Sequence, residues 1–485
     1  MPLSFYLACF ALGVAGLWCW RGRYGGWGLP ACMVLATVSV WYVGDVFYND
    51  LDVYLETIGQ ASIEAAWWQV LCFVVAFGVL VQPVHRLVNG RLREKTSQTM
   101  AYLETDVLRT LGLQSRIDVL GRALLVAWLG LTAIGLLRVE GDAVGLFAPY
   151  LGEKSDPWGR GQIGGGFSAL ISLAGYLQLF LTASFGVLAA LAINRRTRNM
   201  ALLVCFLAMP FYVFDRTRNT MLAAVFPGVL AFVFFRLRSG LLTKGLVLVG
   251  GFLVVDFWFS IVMANRSGTD FDIQGALAGQ SNRADEANVR HEGLNMLEEL
   301  AWIDHFMETG AYVPNMGQRY FAEFVNPVPR ALWKNKPKIG LDYAVARGQS
   351  ASGPDGEVTA TISTGMIGQG VVNFGKILGP MAAAVLMALW VALLARQDLL
   401  GTEPARMILY GVGFILTFNM GRDITLLVIY PFLFGLGLFQ LWQYFQKSRQ
   451  TKKTLIRQRG VKYTDGQNVA VETIPGRMRP VRRRL

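Results

Sequence analysis

The residues best suited to chemistry are arginines at the ends of apolar runs. Asp215-Arg216-Thr217-Arg218-Asn219 fills a short break between two such runs, Gly421-Arg422-Asp423 fills another, and Arg266 follows a third. A guanidinium offers planar, forked donors that match phosphate oxygens. Arg216, Arg218, Arg266 and Arg422 could therefore hold a phosphate at headgroup depth. The competing reading is snorkelling, with Asp215 balancing Arg216 and Arg218, and Asp423 balancing Arg422.

Tyr320–Lys338 interleaves aromatic and cationic side chains, among them Tyr320, Trp333 and Lys336. Aromatic faces suit the C–H faces of sugars, and cations suit phosphates. Pro327, Pro329 and Pro337 exclude a regular helix, predicting an extended or turned segment. A loop packed on its own aromatics under a charged rim is the alternative. A hydroxyl nucleophile would need a base within hydrogen-bond reach, and Glu323, His291, His305 and Asp304 are the candidates.

Ser281–Thr309 reads as an amphipathic helix. Val289, Met296, Leu300, Ile303 and Met307 form its apolar stripe, and Gly310 is placed to stop it. His291, Glu298 and His305 fall on the opposite face, expected to be solvated. Their seven-residue spacing corresponds to roughly 10.5 Å of rise, too far for two histidines to chelate one ion. No metal or other cofactor is expected. Gly365–Gly375 is glycine-rich but lacks the Gly-Lys-Ser/Thr ending of a nucleotide loop. Close packing against a membrane helix is the expectation there.

The elements that must position these residues are apolar helices. The 485-residue chain is 53% hydrophobic and only 16% charged, well below the ~25% charge of soluble domains. Runs of about 20 apolar residues, enough to cross a bilayer, recur along it. Eleven spans are expected, near 2–20, 27–48, 64–84, 119–138, 167–193, 199–214, 220–235, 245–264, 377–395, 405–420 and 424–445. No positive charge precedes the first run, and Arg21 and Arg23 follow it. An N-terminus outside then leaves 29 Lys/Arg on inner segments against six on short outer ones. The chain is expected to be an all-α polytopic membrane protein, 1–445, with one large, partly helical outer loop, 265–376. A tail, 446–485, follows with twelve Lys/Arg and two acids. Its basic character suits a disordered segment on the cytoplasmic membrane surface rather than a nucleic-acid site. The five cysteines all lie in or at the ends of expected spans and form no CxxC pattern.

Phe324-Val325-Asn326-Pro327-Val328-Pro329-Arg330-Ala331-Leu332-Trp333, with Lys336-Pro337, resembles the Pro-Arg … Lys-Pro segment of the oligosaccharide repeat-unit polymerases (O-antigen, Wzy-type). The Gly368–Gly375 stretch, ending Asn373-Phe374-Gly375 before a span, is similar to their next signature. The resemblance covers roughly residues 165–445. It implies a GT-C-like glycosyltransferase of the bacterial inner membrane, using undecaprenyl-pyrophosphate-linked oligosaccharide on the periplasmic face. A hydroxyl of one lipid-linked repeat would attack the anomeric carbon of another, and undecaprenyl pyrophosphate would leave. Arg216, Arg218, Arg266, Arg330 and Arg422 would neutralise the leaving group, Arg330 through the Pro-Arg match. Implied partners are membrane lipids, a chain-length-regulating membrane protein and a flippase for the lipid-linked oligosaccharide. Two other readings stand beside this one. An O-antigen-ligase-like transferase would use the same donor. A transporter or flippase would expect more ionisable residues deep in its spans than Asp256.

Overall fold

The structure is a computed structural model of the chain. It describes residues 1–49, 52–90, 114–151, 154–159, 168–214, 218–237, 240–264, 295–329, 331–337, 340–348, 362–397, 403–425 and 428–444. Among these there are helices and no strands. Backbone N–H and C=O groups in hydrocarbon must be satisfied within the segment, which leaves the helix as the form for apolar runs of this length.

The helices are α1 (Leu3–Arg21), α2 (Gly28–Val38), α3 (Gly44–Tyr48), α4 (Asp52–Ile58), α5 (Gln60–Asn89), α6 (Gln114–Arg138), α7 (Ala143–Phe147), α8 (Ser168–Leu191) and α9 (Arg195–Val213). There follow α10 (Arg218–Phe235), α11 (Leu241–Ala264), α12 (Met296–Glu308), α13 (Gln318–Phe324), α14 (Leu341–Ala346), α15 (Met366–Gln397) and α16 (Pro404–Asn419). The last, α17, covers 428–444. A helix stands at each of the eleven expected positions. Among the described residues, seven helices are long and apolar enough to cross a membrane: Leu3–Arg21, Gly28–Phe47, Gln60–Asn89, Gln114–Arg138, Ile171–Leu191, Leu242–Phe259 and Met366–Gln397. The chain is thus an all-α, multi-pass membrane protein. By compactness it divides into Met1–Gly435 and Leu436–Leu485. Of the second unit, residues 436–444 are described and helical.

Two groups of helices build the first unit. α15 runs along α5, which also carries α1 and α12. α10 runs along α8, which also carries α9 and α6. A Cβ at Gly228 would lie 2.9 Å from the Gly186 Cα, so α10 and α8 cross backbone to backbone. α16 joins the groups, touching α2 and α15 on one hand and α8 and α10 on the other. Indole donors pin it: Trp41 Nε1 donates to the Phe418 carbonyl at 3.0 Å, and Trp390 Nε1 to Thr417 Oγ1 at 2.9 Å.

Three expectations change in detail. The stretch expected as a loop before the ninth span is itself helical, forming the first part of α15 up to a kink at Gly375 (φ 80°, ψ 179°). Glycine enters that region without a Cβ penalty. Beyond the kink the chain folds back, bringing Gly379 against Gly370 and Val371. In Tyr320–Lys338, the first five residues belong to α13 and the turns begin only at Val325. Pro327 perturbs its own turn and the carbonyl four residues back, leaving the earlier residues free to be helical. In the expected amphipathic helix, Met296, Leu300 and Ile303 are buried as expected, and Gly310 has the positive φ of a helix stop (73°). The expected solvated face is not solvated at Glu298, which is 1% exposed. α12 is covered there by α3 and by Arg347, which follows α14. His291 and Val289 lie outside the described residues.

A side chain at Gly370 would overlap the Gly379 carbonyl. Gly370→Val is expected to destabilise the protein by at least the ~1–3 kcal/mol usual for overpacking, seen as a lowered thermal midpoint in detergent. Gly130→Ala, inside α6 with open space around it, is expected not to lower that midpoint.

Candidate functional site

Four segments meet at one end of the bundle: α3 with the turn before it, the 295–348 segment, the start of α15, and the turn after α16. Ser39–Val43 forms a single π-helical turn between α2 and α3. Such a bulge re-aims the residues that follow it. Here Tyr42 reaches α15, where its hydroxyl oxygen accepts the Ile367 N–H at 2.8 Å. Asp45 reaches α12, where Oδ2 accepts the N–H groups of Leu297 (2.8 Å) and Glu298 (2.9 Å). Asn295, at the cap position, makes no side-chain cap bond, so Asp45 satisfies these first-turn donors from a distant helix.

α12 is then held by ion pairs. Arg347 reaches Glu299 at 3.0 Å and Glu298 at 3.5 Å, and lies 4.3 Å above the Trp302 ring. Tyr343 Oη donates to Glu299 Oε2 at 2.8 Å. Lys376, just past the kink of α15, pairs with Asp304 at 2.7 Å and Glu308 at 3.0 Å. Asp304 also accepts from Gln69 Nε2 of α5 at 3.2 Å. Burial first, then Glu299 and Asp45, push Glu298 up to about 8, against the opposing pull of Arg347.

The candidate site lies beside this frame. Arg319 and Glu323, four residues apart on α13, are 5% and 4% exposed. Arg319 Nε stands 3.9 Å from Glu323 Oε1, and Nη2 stands 3.9 Å from Asp423 Oδ1. Arg319 Nη2 also donates to the Ile362 carbonyl at 3.4 Å. Its Nε and Nη1 are buried with no hydrogen-bond partner. Gln369, fully buried on the first part of α15, bridges the segments. Its Nε2 donates to Glu323 Oε1 and its Oε1 accepts the Ile424 N–H, both at 2.7 Å. Asp423 Oδ1 accepts from Thr364 N–H (3.2 Å) and Oγ1 (3.3 Å). The carbonyls of Arg422 and Gly421 accept the N–H groups of Gly365 (2.9 Å) and Met366 (3.0 Å).

Two carboxyls therefore share one guanidinium. Burial drives both upward, Glu323 to about 8, while Arg319 pulls each the other way. Asp423 has the additional donors of Thr364, which favour its charged form. A single guanidinium charge can balance only one ionised carboxyl, so the two carboxyls compete for Arg319.

Among the other expected residues, Tyr320 packs its ring near Phe374 at 6.2 Å and directs a buried, unpartnered hydroxyl toward the field of Glu323 and Asp423. Arg422 is exposed, and its Nε donates to Ser363 Oγ at 2.6 Å instead of pairing with Asp423. Trp333 is exposed, edge-on to Phe321. Lys336 is buried and donates to the Asn326 (2.7 Å) and Val328 (3.0 Å) carbonyls, tying the loop to itself. His305 packs edge-on to Trp302 and against Phe306. Arg216, Arg266, Arg330 and His291 lie outside the described residues, as does the side chain of Arg218. Its neighbour Asn219 accepts through its carbonyl from Asn419 Nδ2 at 3.0 Å, so the start of α10 adjoins the same end of α16.

Arg319, Gln369 and Thr364 were not singled out from sequence. The i, i+4 spacing of Arg319 and Glu323 was a usable signal. Gln369 carried none, because its partners Glu323 and Ile424 are distant in sequence. Comparison of the chain with protein-family models, with curated protein sequences and with solved structures finds no match.

Glu323, pushed up to about 8 by burial, is expected to hold its proton at pH 7. Infrared difference spectra should show protonated-carboxyl absorption that titrates near pH 8, of which Glu323→Gln removes the Glu323 share and leaves that of Glu298. A raised carboxyl favours the fold below its unfolded value, and that contribution is lost as pH climbs to about 8.

Proposed function

We propose that the protein is a glycosyltransferase that polymerises polyprenyl-pyrophosphate-linked oligosaccharide repeats, with Glu323 as the proton acceptor. The observation that carries this is the Arg319–Glu323–Asp423–Gln369 cluster beside the exposed Arg422. The resemblance of Phe324–Pro337 and Gly368–Gly375 to the repeat-unit polymerases supports it. Both stretches border or contain residues of the cluster.

In this reading all eleven helices at the expected positions span the bacterial inner membrane, with the N-terminus outside and the C-terminus inside. The 265–376 segment is periplasmic, in a GT-C-like arrangement. Arg422, together with Arg216, Arg218, Arg266 and Arg330, neutralises the pyrophosphate of the donor. The acceptor hydroxyl attacks the donor anomeric carbon, the bond from that carbon to the pyrophosphate oxygen breaks, and the hydroxyl proton passes to Glu323. Cations held in advance of the reaction stabilise the charge that develops on the leaving oxygen. Arg319 is a positioning residue: with Gln369 it sets the charge and orientation of Glu323. Chain-length regulation and substrate supply by a flippase fall to partner proteins.

A pKa of about 8 suits a base working near neutrality. Turnover of purified protein on lipid-linked repeats is expected to rise with pH and level off above about 8. Glu323→Gln should remove that dependence and lower the rate by ~10²-fold or more. A flat wild-type profile would exclude Glu323 as the base.

In cells, a deletion strain is expected to display a single surface repeat. Wild-type protein should restore a ladder, whereas Glu323→Gln and Arg422→Ala should not. Complete loss of attached glycan in the deletion strain would indicate a ligase or flippase, and an unchanged ladder would overturn the glycan reading.

A further inference from the structure

α13 has two unlike faces. Arg319, Ala322 and Glu323 point into the protein, while Phe321 and Phe324 are 51% and 71% exposed. The ring of Phe321 lies 6.3 Å from that of Trp333, edge to face. Leu332, beside Trp333 in the chain, is 73% exposed. Four large apolar side chains thus stand out from a segment that is not a spanning helix. A soluble surface rarely presents such a patch without an occupant.

Two observations indicate what covers it. The first is continuity with the membrane-spanning part of α15. The Tyr320 N–H donates to Asn373 Oδ1 at 3.3 Å, and the Tyr320 ring packs near Phe374, immediately before the kink. Just beyond the kink, Ile377 and Leu378 are 74% and 63% exposed on the spanning helix. The apolar surface of the spanning helix therefore begins beside α13. The second observation is charge. Residues 331–335 are all exposed, and they include Lys334 and no acid. Aromatic rings with a cation at their edge are the composition of the membrane–water interface, and the cation suits anionic headgroups.

We infer that Phe321, Phe324, Leu332 and Trp333 insert into the lipid bilayer at its interface, with Lys334 among the headgroups. Because Glu323 lies on the opposite face of the same two-turn helix, this insertion fixes the height of the carboxyl relative to the membrane surface. The inference needs only that the chain spans a membrane, so it stands apart from the proposed reaction.

The test uses the full chain in vesicles of phosphatidylethanolamine and phosphatidylglycerol that carry a tritiated phospholipid. Photoreactive p-benzoylphenylalanine replaces Phe324 or Leu332 in separate proteins, and Phe10, 72% exposed on the apolar spanning helix α1, serves as the reference. On irradiation, positions 324 and 332 are expected to take up lipid label to about the same extent as position 10. Little or no label at 324 and 332, with uptake at 10, would overturn the inference. Crosslinked dimers at 324 and 332 in place of lipid adducts would also overturn it, making the patch an interface between copies. The readout requires no glycan, so a failed polymerase assay and a failed insertion are separate results.

Discussion

One buried carboxyl, that of Asp45, joins the membrane helices to the segment that carries the candidate site. The first N–H groups of a helix have no partner within it, and a buried helix start must find acceptors elsewhere. α12 finds one in Asp45, fully buried and braced by Asn49 at 2.7 Å. Two hydrogen bonds to a carboxyl in an enclosed setting contribute on the order of 1–3 kcal/mol each. Position follows from this clasp. Once the start of α12 is set, Leu300 and Ile303 have Gly368 to pack on, and Asp304 has Lys376. Those contacts hold the kinked start of α15, which carries Gln369 to Glu323.

The same logic recurs at α15. Its first N–H groups go to the Gly421 carbonyl and the Tyr42 hydroxyl, so its start is fastened to both the turn after α16 and the end of α2's π turn. Three parts of the chain far apart in sequence are thereby brought within one hydrogen-bonded network. The network is costly in ionisable groups: Arg319, Glu323 and Asp423 are removed from most water, and Arg319 keeps two nitrogens, Nε and Nη1, without acceptors. A buried ion pair of long geometry, 3.9 Å, is a poor stabilising device. Perturbed carboxyls beside an under-satisfied guanidinium make this cluster a candidate site. The ion pairs of Arg347 with Glu299 and of Lys376 with Asp304, at 3.0 and 2.7 Å, have the shorter geometry expected of structural links.

Local pattern and global contact were legible to different degrees. Apolar runs located the helices, because bilayer-scale hydrophobicity is a property of contiguous residues. The stop at Gly310 and the buried stripe of α12 were legible because a 3.6-residue period survives into the structure. Glu298 was misjudged as solvated, since charge alone does not reveal that Arg347 and Asp45 close over that face. Glu323 was among the candidate bases on residue type. Its neighbours were not legible, because Gln369 and Asp423 lie 46 and 100 positions away in the chain, beyond the reach of any local pattern.

The sequence by itself determined that this is an all-α membrane protein and that arginines fall in the breaks between its apolar runs. Each of those rests on neighbours in the chain. Only the tertiary structure decided that Lys336 secures its own loop, that Arg422 faces outward, and that Arg319 is shared between two carboxyls. Side-chain charge state and accessibility depend on what is packed against a group in three dimensions. Here that packing is set by helix starts that borrow their hydrogen-bond acceptors from other helices.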